Sequence, residues 1–301
     1  MDKHSTEQTG SDSLSGFLYA LAAYVIWGML PLYMNALKAV SPLEVLVHRA
    51  LWSVPVSLLV LAWLGRTADL RAAFRSPRTL AMSMICALLI TSNWLTYVIA
   101  VTTGHALDAA LGYYINPLFS ILLGSVLLGE RLRGVQWLAL ALVAIGVAIL
   151  TWENGRLPLV GLMLTLTWAF YAYFKKSLPI GPNQGFALEV LLVMPFALAL
   201  LVWLMLSGRG IAFGTGPGWQ SLLLFLLGIV TAVPLMLYAN GAKKLRLTTI
   251  ALMQYISPTM IFLIAVFVFD EPFSQTKLVA FGFIWAALVI YSLSSLGRSR
   301  G

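Results

Sequence analysis

From Phe17 onward the chain alternates apolar runs of about 20 residues with short polar breaks, and a helix of that length crosses a hydrocarbon core of roughly 30 Å. The runs predict ten helices, at about 17–37, 43–64, 78–101, 107–128, 132–151, 157–177, 185–206, 219–241, 247–269 and 275–295. Backbone polar groups in lipid must be satisfied within the segment, which selects helices over open sheet. Only the breaks Gly65–Pro77 and Ser207–Gly218 are long. Short connections predict that helices adjacent in sequence pack antiparallel.

The pattern repeats. DAALGYYINPLFSILLGSVLLGER, Asp108–Arg131, carries a proline near its middle and a glutamate at its end, and ALMQYISPTMIFLIAVFVFDEP returns with both. Ala110–Leu132 and Ala251–Phe273 agree at seven of 23 positions, among them Tyr114/Tyr255, Pro117/Pro258 and Glu130/Glu271. Trp27/Trp168 and Tyr97/Tyr238 keep the same offset of 141. The chain therefore reads as a duplication: a tail at 1–15, a first five-helix repeat at 16–151, a second at 152–296 and a tail at 297–301. Five is odd, so the second repeat enters the membrane from the opposite side. Inverted repeats commonly hold a substrate site at their interface near the midplane.

Composition agrees with an integral membrane protein. The chain is 60% hydrophobic, 10% charged and has a mean hydropathy of +0.90, whereas soluble proteins are roughly 25% charged. With the N-terminus inside, fourteen Lys and Arg fall on the cytoplasmic side: Lys3, Arg66, Arg71, Arg75, Arg78, Arg131, Arg133, Lys175, Lys176, Lys243, Lys244, Arg246, Arg298 and Arg300. Four fall outside: Lys38, Arg156, Arg209 and Lys277. Both termini are thus expected in the cytoplasm, and the net charge of +8 reflects loop orientation rather than nucleic-acid binding. Met1–Ser15 reads as a disordered tail. The lone Cys86, within a run, excludes a disulfide framework. GxxxxGK[ST], HExxH and GxSxG are all missing, so nothing points to nucleotide hydrolysis, a metal centre, a cofactor or an enzyme.

Candidate chemistry lies at mid-span. Pro117 and Pro258 free the carbonyls of Tyr113 and Gln254, either as a hinge pair or as tolerated kinks. Asn116 and Gln254 add polar groups at that depth, as cavity lining or as interhelical glue. Glu44, His48 and Arg49 open the second span, where ionisable groups usually face a cavity or a partner. Arg49 can instead snorkel to the headgroups. His48 suits proton coupling. Asp108 is a second candidate for coupling, or a charge favoured at a helix N-terminus. Asn93, Trp94 and Trp168 are candidate cavity walls, with Tyr24, Trp27 and Tyr171 on similar polar-aromatic faces. LEVLLVMPF around Glu189 resembles LEVLVHRALW around Glu44, which sets Met194 opposite Arg49. Glu130 and Glu271 read as structural caps.

LAAYVIWGMLPLY, SNWLTYVIAVTTGHALDAALGYYINPLFSILLGSVLLGERL and TAVPLMLYANGAKKLRLTTIALMQYISPTMIFLIAVFVFDEPF resemble the bacterial RarD-like members of the EamA group, within the drug/metabolite transporter superfamily. The resemblance covers about residues 15–295. It implies a ten-helix, two-repeat permease of the bacterial inner membrane, and it implies no particular substrate. The combined expectation is a secondary transporter that moves a small polar or amphipathic metabolite, such as an amino acid or drug, by alternating access. Membrane lipids surround it, protons are the candidate coupling ion, and the chain acts as a monomer or homodimer. A lipid flippase or scramblase is the alternative.

Overall fold

The computed structural model describes residues 13–128, 132, 134–208, 211–242, 244–245 and 247–296. Glu130, Arg131, Arg133, Arg209, Lys243, Arg246, Arg298, Arg300 and Lys3, weighed above for topology or capping, lie outside the described residues. All secondary structure among the described residues is helical. The helices are α1 (Leu14–Ala36), α2 (Pro42–Trp63), α3 (Thr67–Ala73), α4 (Pro77–Thr102), α5 (Ala106–Leu128) and α6 (Gly134–Asn154). They continue with α7 (Leu159–Lys176), α8 (Pro182–Leu206), α9 (Gly218–Ala242), α10 (Leu247–Met253), α11 (Ile256–Phe267) and α12 (Gln275–Leu296). The short α3 was not expected; it fills the Gly65–Pro77 connection. Among the described residues seven helices, α1, α2, α4, α6, α8, α9 and α12, are long and apolar enough to cross a membrane, while α7 and α11 are shorter apolar helices.

Local chemistry sets the ends. Ser13 and Ser76 cap α1 and α4 by accepting the amides of Gly16 and Thr79 at 3.1 and 3.3 Å. Proline stands in the first turn of α2, α4 and α8, where its missing N–H costs nothing. Gly65 and Gly104 close α2 and α4 at φ of +66° and +75°. The following amides, of Arg66 and His105, bond back to Leu61 and Ala100 at 3.0 and 2.7 Å, which completes the helix stop.

The two prolines of the repeated motif behave differently. Pro117 lies inside α5, which runs unbroken around it. The ninth expected helix is interrupted at Gln254–Tyr255, and Pro258 becomes the third residue of α11. A first helical turn needs no backbone donor, so the proline is accommodated there without loss.

The contacts that dominate the bundle join one half of the chain to the other. The helices α2, α5 and α6 pack on α8, α11 and α12 respectively. Around them α1 packs on α9 and α7 on α4; α1 also packs on α11 and α7 on α5; and α2 packs on α9 and α8 on α4. Each contact in these pairs is the exchange of its mate between halves. Helices adjacent in sequence, expected to pack on one another, do so only weakly, as α4 with α5, α5 with α6 and α8 with α9. In lipid there is no hydrophobic drive between apolar faces, so packing follows small and polar surfaces wherever they lie. Here they lie across the halves. A Cβ at Gly112 of α5 would come within 2.5 Å of the Gly161 carbonyl of α7, and one at Gly228 of α9 within 2.2 Å of the Trp52 carbonyl of α2. Thr165 Oγ1 donates to the Gly112 carbonyl at 2.8 Å, and Ser257 Oγ to the Tyr24 carbonyl at 2.6 Å.

A further cross-half tie holds α5. The carboxylate of Glu271, beyond α11, accepts the amides of Ala106 and Leu107 at 2.7 and 2.9 Å. These are the first amides of α5, which have no intrahelical acceptor, and the positive end of the helix favours the negative charge. The bundle's exterior is apolar, with Leu59, Phe196 and Leu206 among its exposed side chains, as a surface facing lipid requires. Trp63 and Trp152 are also exposed, near the ends of α2 and α6, where interfacial anchors belong.

Two variants probe this frame. Gly112→Val forces α5 and α7 apart and should abolish the monodisperse folded fraction on size-exclusion chromatography, because the obstructing atoms are backbone. Glu271→Ala should lower stability by about 1–3 kcal/mol, read as a reduced Tm in detergent, with Glu271→Gln recovering part of the loss.

Candidate functional site

Between the halves lies a cavity of about 130 Å³. A water needs roughly 10–15 Å³ on this measure, so the space suits a ligand of about ten non-hydrogen atoms. Helices α1, α2, α4, α5, α7, α9 and α11 all contribute to its wall, together with Gln254 from the break between α10 and α11. Five lining pairs are 141 residues apart: Trp27/Trp168, Trp94/Leu235, Tyr97/Tyr238, Tyr113/Gln254 and Asn116/Ser257. Trp27 and Trp168 touch each other, with ring centroids 6.4 Å apart.

The cavity has two unlike ends. At one, Tyr24, Trp27, Trp168 and Tyr238 meet largely edge to face, with successive centroids 5.7 to 6.4 Å apart. At the other, the Arg49 guanidinium lies 4.5 Å from the centroid of the Trp94 ring. Arg49 is only 4% exposed, so it does not snorkel, and its Nε and Nη1 have no hydrogen-bond partner among the described residues. The Tyr97 hydroxyl and Asn116 Oδ1 are likewise buried and unpartnered. Asn93 is fully engaged: its amide nitrogen donates to the Leu164 carbonyl at 3.0 Å and Thr167 Oγ1 at 2.9 Å, and its oxygen accepts from Tyr113 at 3.3 Å. It therefore acts as a strut between α4 and α7 while forming part of the wall.

Arg49, Asn93, Trp94, Asn116, Trp168, Gln254 and Pro258 are thus brought together around one space. Glu44, His48, Asp108 and Pro117 are not among its lining residues. Glu44 instead accepts the amides of Ala212, at 2.8 and 3.0 Å, and Phe213, at 2.9 Å, and so pins the connection between α8 and α9. His48 stacks on Phe213 with ring centroids 4.5 Å apart, and its Nδ1 accepts from Trp52 Nε1 at 3.1 Å. Asp108 stands in the first turn of α5. The residues the sequence undervalued are Tyr97, Tyr113, Leu235, Tyr238 and Ser257. The repeat offset points to each of them, since each is the counterpart of another lining residue.

Helices α2 and α8 both begin on proline, and each buries a continuous run, 44–50 and 184–190. Arg49 and Glu189 both stand seven residues past that proline, while the offset of 141 sets Glu189 against His48. Glu189 is partnered: Lys175 Nζ and the Tyr171 hydroxyl both donate to its carboxylate, the latter at 3.2 Å.

Comparison with known proteins places this architecture. Residues 14–152 match the EamA-like transporter family. A protein of Vibrio cholerae named an uncharacterized transporter is 42% identical over 95% of this chain and 94% of its own. Protein RarD of Escherichia coli is 37% identical over 100% of this chain and 99% of its own. The chain belongs to the RarD group of the EamA-like transporter family. A chloramphenicol-sensitive protein RarD of Pseudomonas aeruginosa is 31% identical over 91% of this chain and 92% of its own. A solved structure, titled only as the crystal structure of a protein, shares the fold with a TM-score of 0.60 at 21% identity, over 94% of this chain and 99% of its own. As an EamA protein of this group, the chain is a multi-pass transporter of the bacterial inner membrane, in a lipid environment and with a small-molecule substrate.

The Glu189 cluster, outside the cavity, gives a direct test of the interior's electrostatics. Lys175→Met leaves a buried carboxylate without its cation and should cost about 3–5 kcal/mol, whereas adding Glu189→Leu should recover most of it. Thermal unfolding of the single and double variants measures both.

Proposed function

We propose that the chain is a secondary transporter in which the cavity between the halves binds a small polar or amphipathic metabolite and presents it alternately to the two sides. In this reading ten segments cross the membrane as two inverted five-helix repeats, 16–151 and 152–296, with both termini in the cytoplasm. One observation carries the reading. Five pairs of residues separated by the repeat offset line a single buried space. A site on the axis between two inverted halves keeps its place while the halves rock about it, which is the geometry alternating access needs. The exchange symmetry of the helix packing supports the same arrangement, because a contact set on one side has its equivalent on the other.

Roles follow from position. Arg49, Asn116 and Gln254 orient the substrate, Trp94 and Trp168 form the walls, and Asn93 holds α4 against α7. The break before Pro258, with Pro117 inside α5, supplies the flexible pair. His48 and Asp108 lie outside the cavity, so proton coupling through them would be indirect, by way of Phe213 and the α8–α9 connection or of the α5 start.

Uptake into proteoliposomes of a labelled mixture of amino acids and other small metabolites, with and without a proton gradient, tests this. Saturable uptake is expected, with Asn116→Ala and Trp168→Ala each lowering it by roughly tenfold while leaving the folded yield unchanged; tenfold corresponds to about 1.4 kcal/mol, the scale of one hydrogen bond or ring contact. Absence of uptake, or uptake indifferent to both substitutions, overturns the reading. Translocation of fluorescent lipid in the same vesicles would give the site to lipid instead.

A further inference from the structure

We propose that the cavity selects a small organic anion, a single carboxylate on a flat apolar body, and discriminates against the α-ammonium of an amino acid. The inference rests on the reading of the cavity as the transport site and adds the charge of what enters it.

Charge is the first ground. Arg49 is the one Lys, Arg, Asp or Glu among the lining residues, and no carboxylate among the described residues pairs with it. The acidic side chains of α2 and α8 are occupied elsewhere, Glu44 by the amides of Ala212 and Phe213 and Glu189 by Lys175 and Tyr171. A guanidinium buried in the membrane without an anion is strongly disfavoured, and in proteins such charges are met by a partner. Among the described residues the Trp94 ring meets the guanidinium but no anion does, so the anion comes with the ligand. A carboxylate accepts two parallel N–H bonds from guanidinium, and Arg cannot be deprotonated to escape the cost.

Geometry is the second. The guanidinium lies over the Trp94 ring, and the unpartnered Tyr97 hydroxyl is a further donor in the same wall. Asn116 Oδ1 is a neutral acceptor suited to a hydroxyl. An ammonium carries three donors and a full charge. The lining offers it only neutral oxygens, among them those of Asn116, Gln254 and the tyrosine hydroxyls, and no carboxylate to balance its charge.

The aromatic end offers no substitute. A cation cage needs rings spread around the ion, each with its centroid within about 6 Å of it. The rings of Tyr24, Trp27, Trp168 and Tyr238 contact one another at 5.7 to 6.4 Å, mostly edge to face, so they pack as one cluster rather than spread around an ion.

Phenylacetate, L-phenylglycine and benzylamine separate the possibilities, since phenylglycine differs from phenylacetate only by the α-ammonium and benzylamine lacks the carboxylate. Equilibrium binding to the full-length protein in nanodiscs is read by calorimetry and by quenching of tryptophan fluorescence. Phenylacetate is expected to bind saturably, phenylglycine at least roughly tenfold more weakly, and benzylamine not at all. Arg49→Gln should weaken phenylacetate by about a hundredfold, and Arg49→Lys should restore part of it. The ligand series on the unaltered protein needs no variant to fold. Absence of saturable phenylacetate binding overturns the proposal, as does binding of phenylglycine or benzylamine at equal or greater strength, or phenylacetate binding unchanged in folded Arg49→Gln. Counterflow in proteoliposomes keeps the two readings apart. Binding of the acid without flux of any solute removes the transport reading and leaves the anion site; flux of amines or zwitterions without acids removes the anion site and leaves transport.

Discussion

The fold depends on the absence of water in the bilayer core. Every buried polar group there must find its partner inside the protein, and this bundle finds many of them across the boundary between its halves. Glu271 takes the free amides of α5, Thr165 the carbonyl of Gly112, and Ser257 the carbonyl of Tyr24. Asn93 joins α4 to α7. None of these ties could form within one half alone. Interlocking of the halves is therefore a consequence of where the polar groups were placed, not of hydrophobic collapse, which lipid removes as a driving force.

Against that background the groups left over gain meaning. The described interior contains a carboxylate held by a lysine and a tyrosine at Glu189, and a guanidinium with no anion at Arg49, each seven residues past the proline that opens its helix. One is a closed ion pair and the other an open charge. The open charge faces the cavity and the closed one does not.

Much of this could be read from the chain. Helix existence followed from run length, and the convergence of Trp168, Asn116 and Gln254 with Arg49 followed from polar and aromatic residues at mid-span. The offset of 141 also led to Tyr238 and Ser257 once its partners were known. What escaped was fixed by packing rather than pattern. Glu44 and Arg49 are five residues apart on one helix, yet one turns to the α8–α9 connection and the other to the cavity. Nothing in the local sequence separates them, because the amides that capture Glu44 belong to Ala212 and Phe213. The break at Gln254 was also hidden, since Pro117 at the equivalent place leaves α5 intact.

An unpaired guanidinium also bears on how the carrier would move. Rocking about a central site passes through a state closed to both sides, in which the cavity is driest and an unneutralised charge costs most. With a carboxylate bound, the site crosses that state as a neutral, hydrogen-bonded pair; empty, it crosses as an isolated cation. The same residue that recognises the anion would then raise the barrier for the empty carrier and lower it for the loaded one. On the proposed reading, Arg49 would thereby link specificity to turnover through a single electrostatic term. Glu189, already partnered by Lys175, would leave that term undivided, so the charge requirement would fall on the ligand.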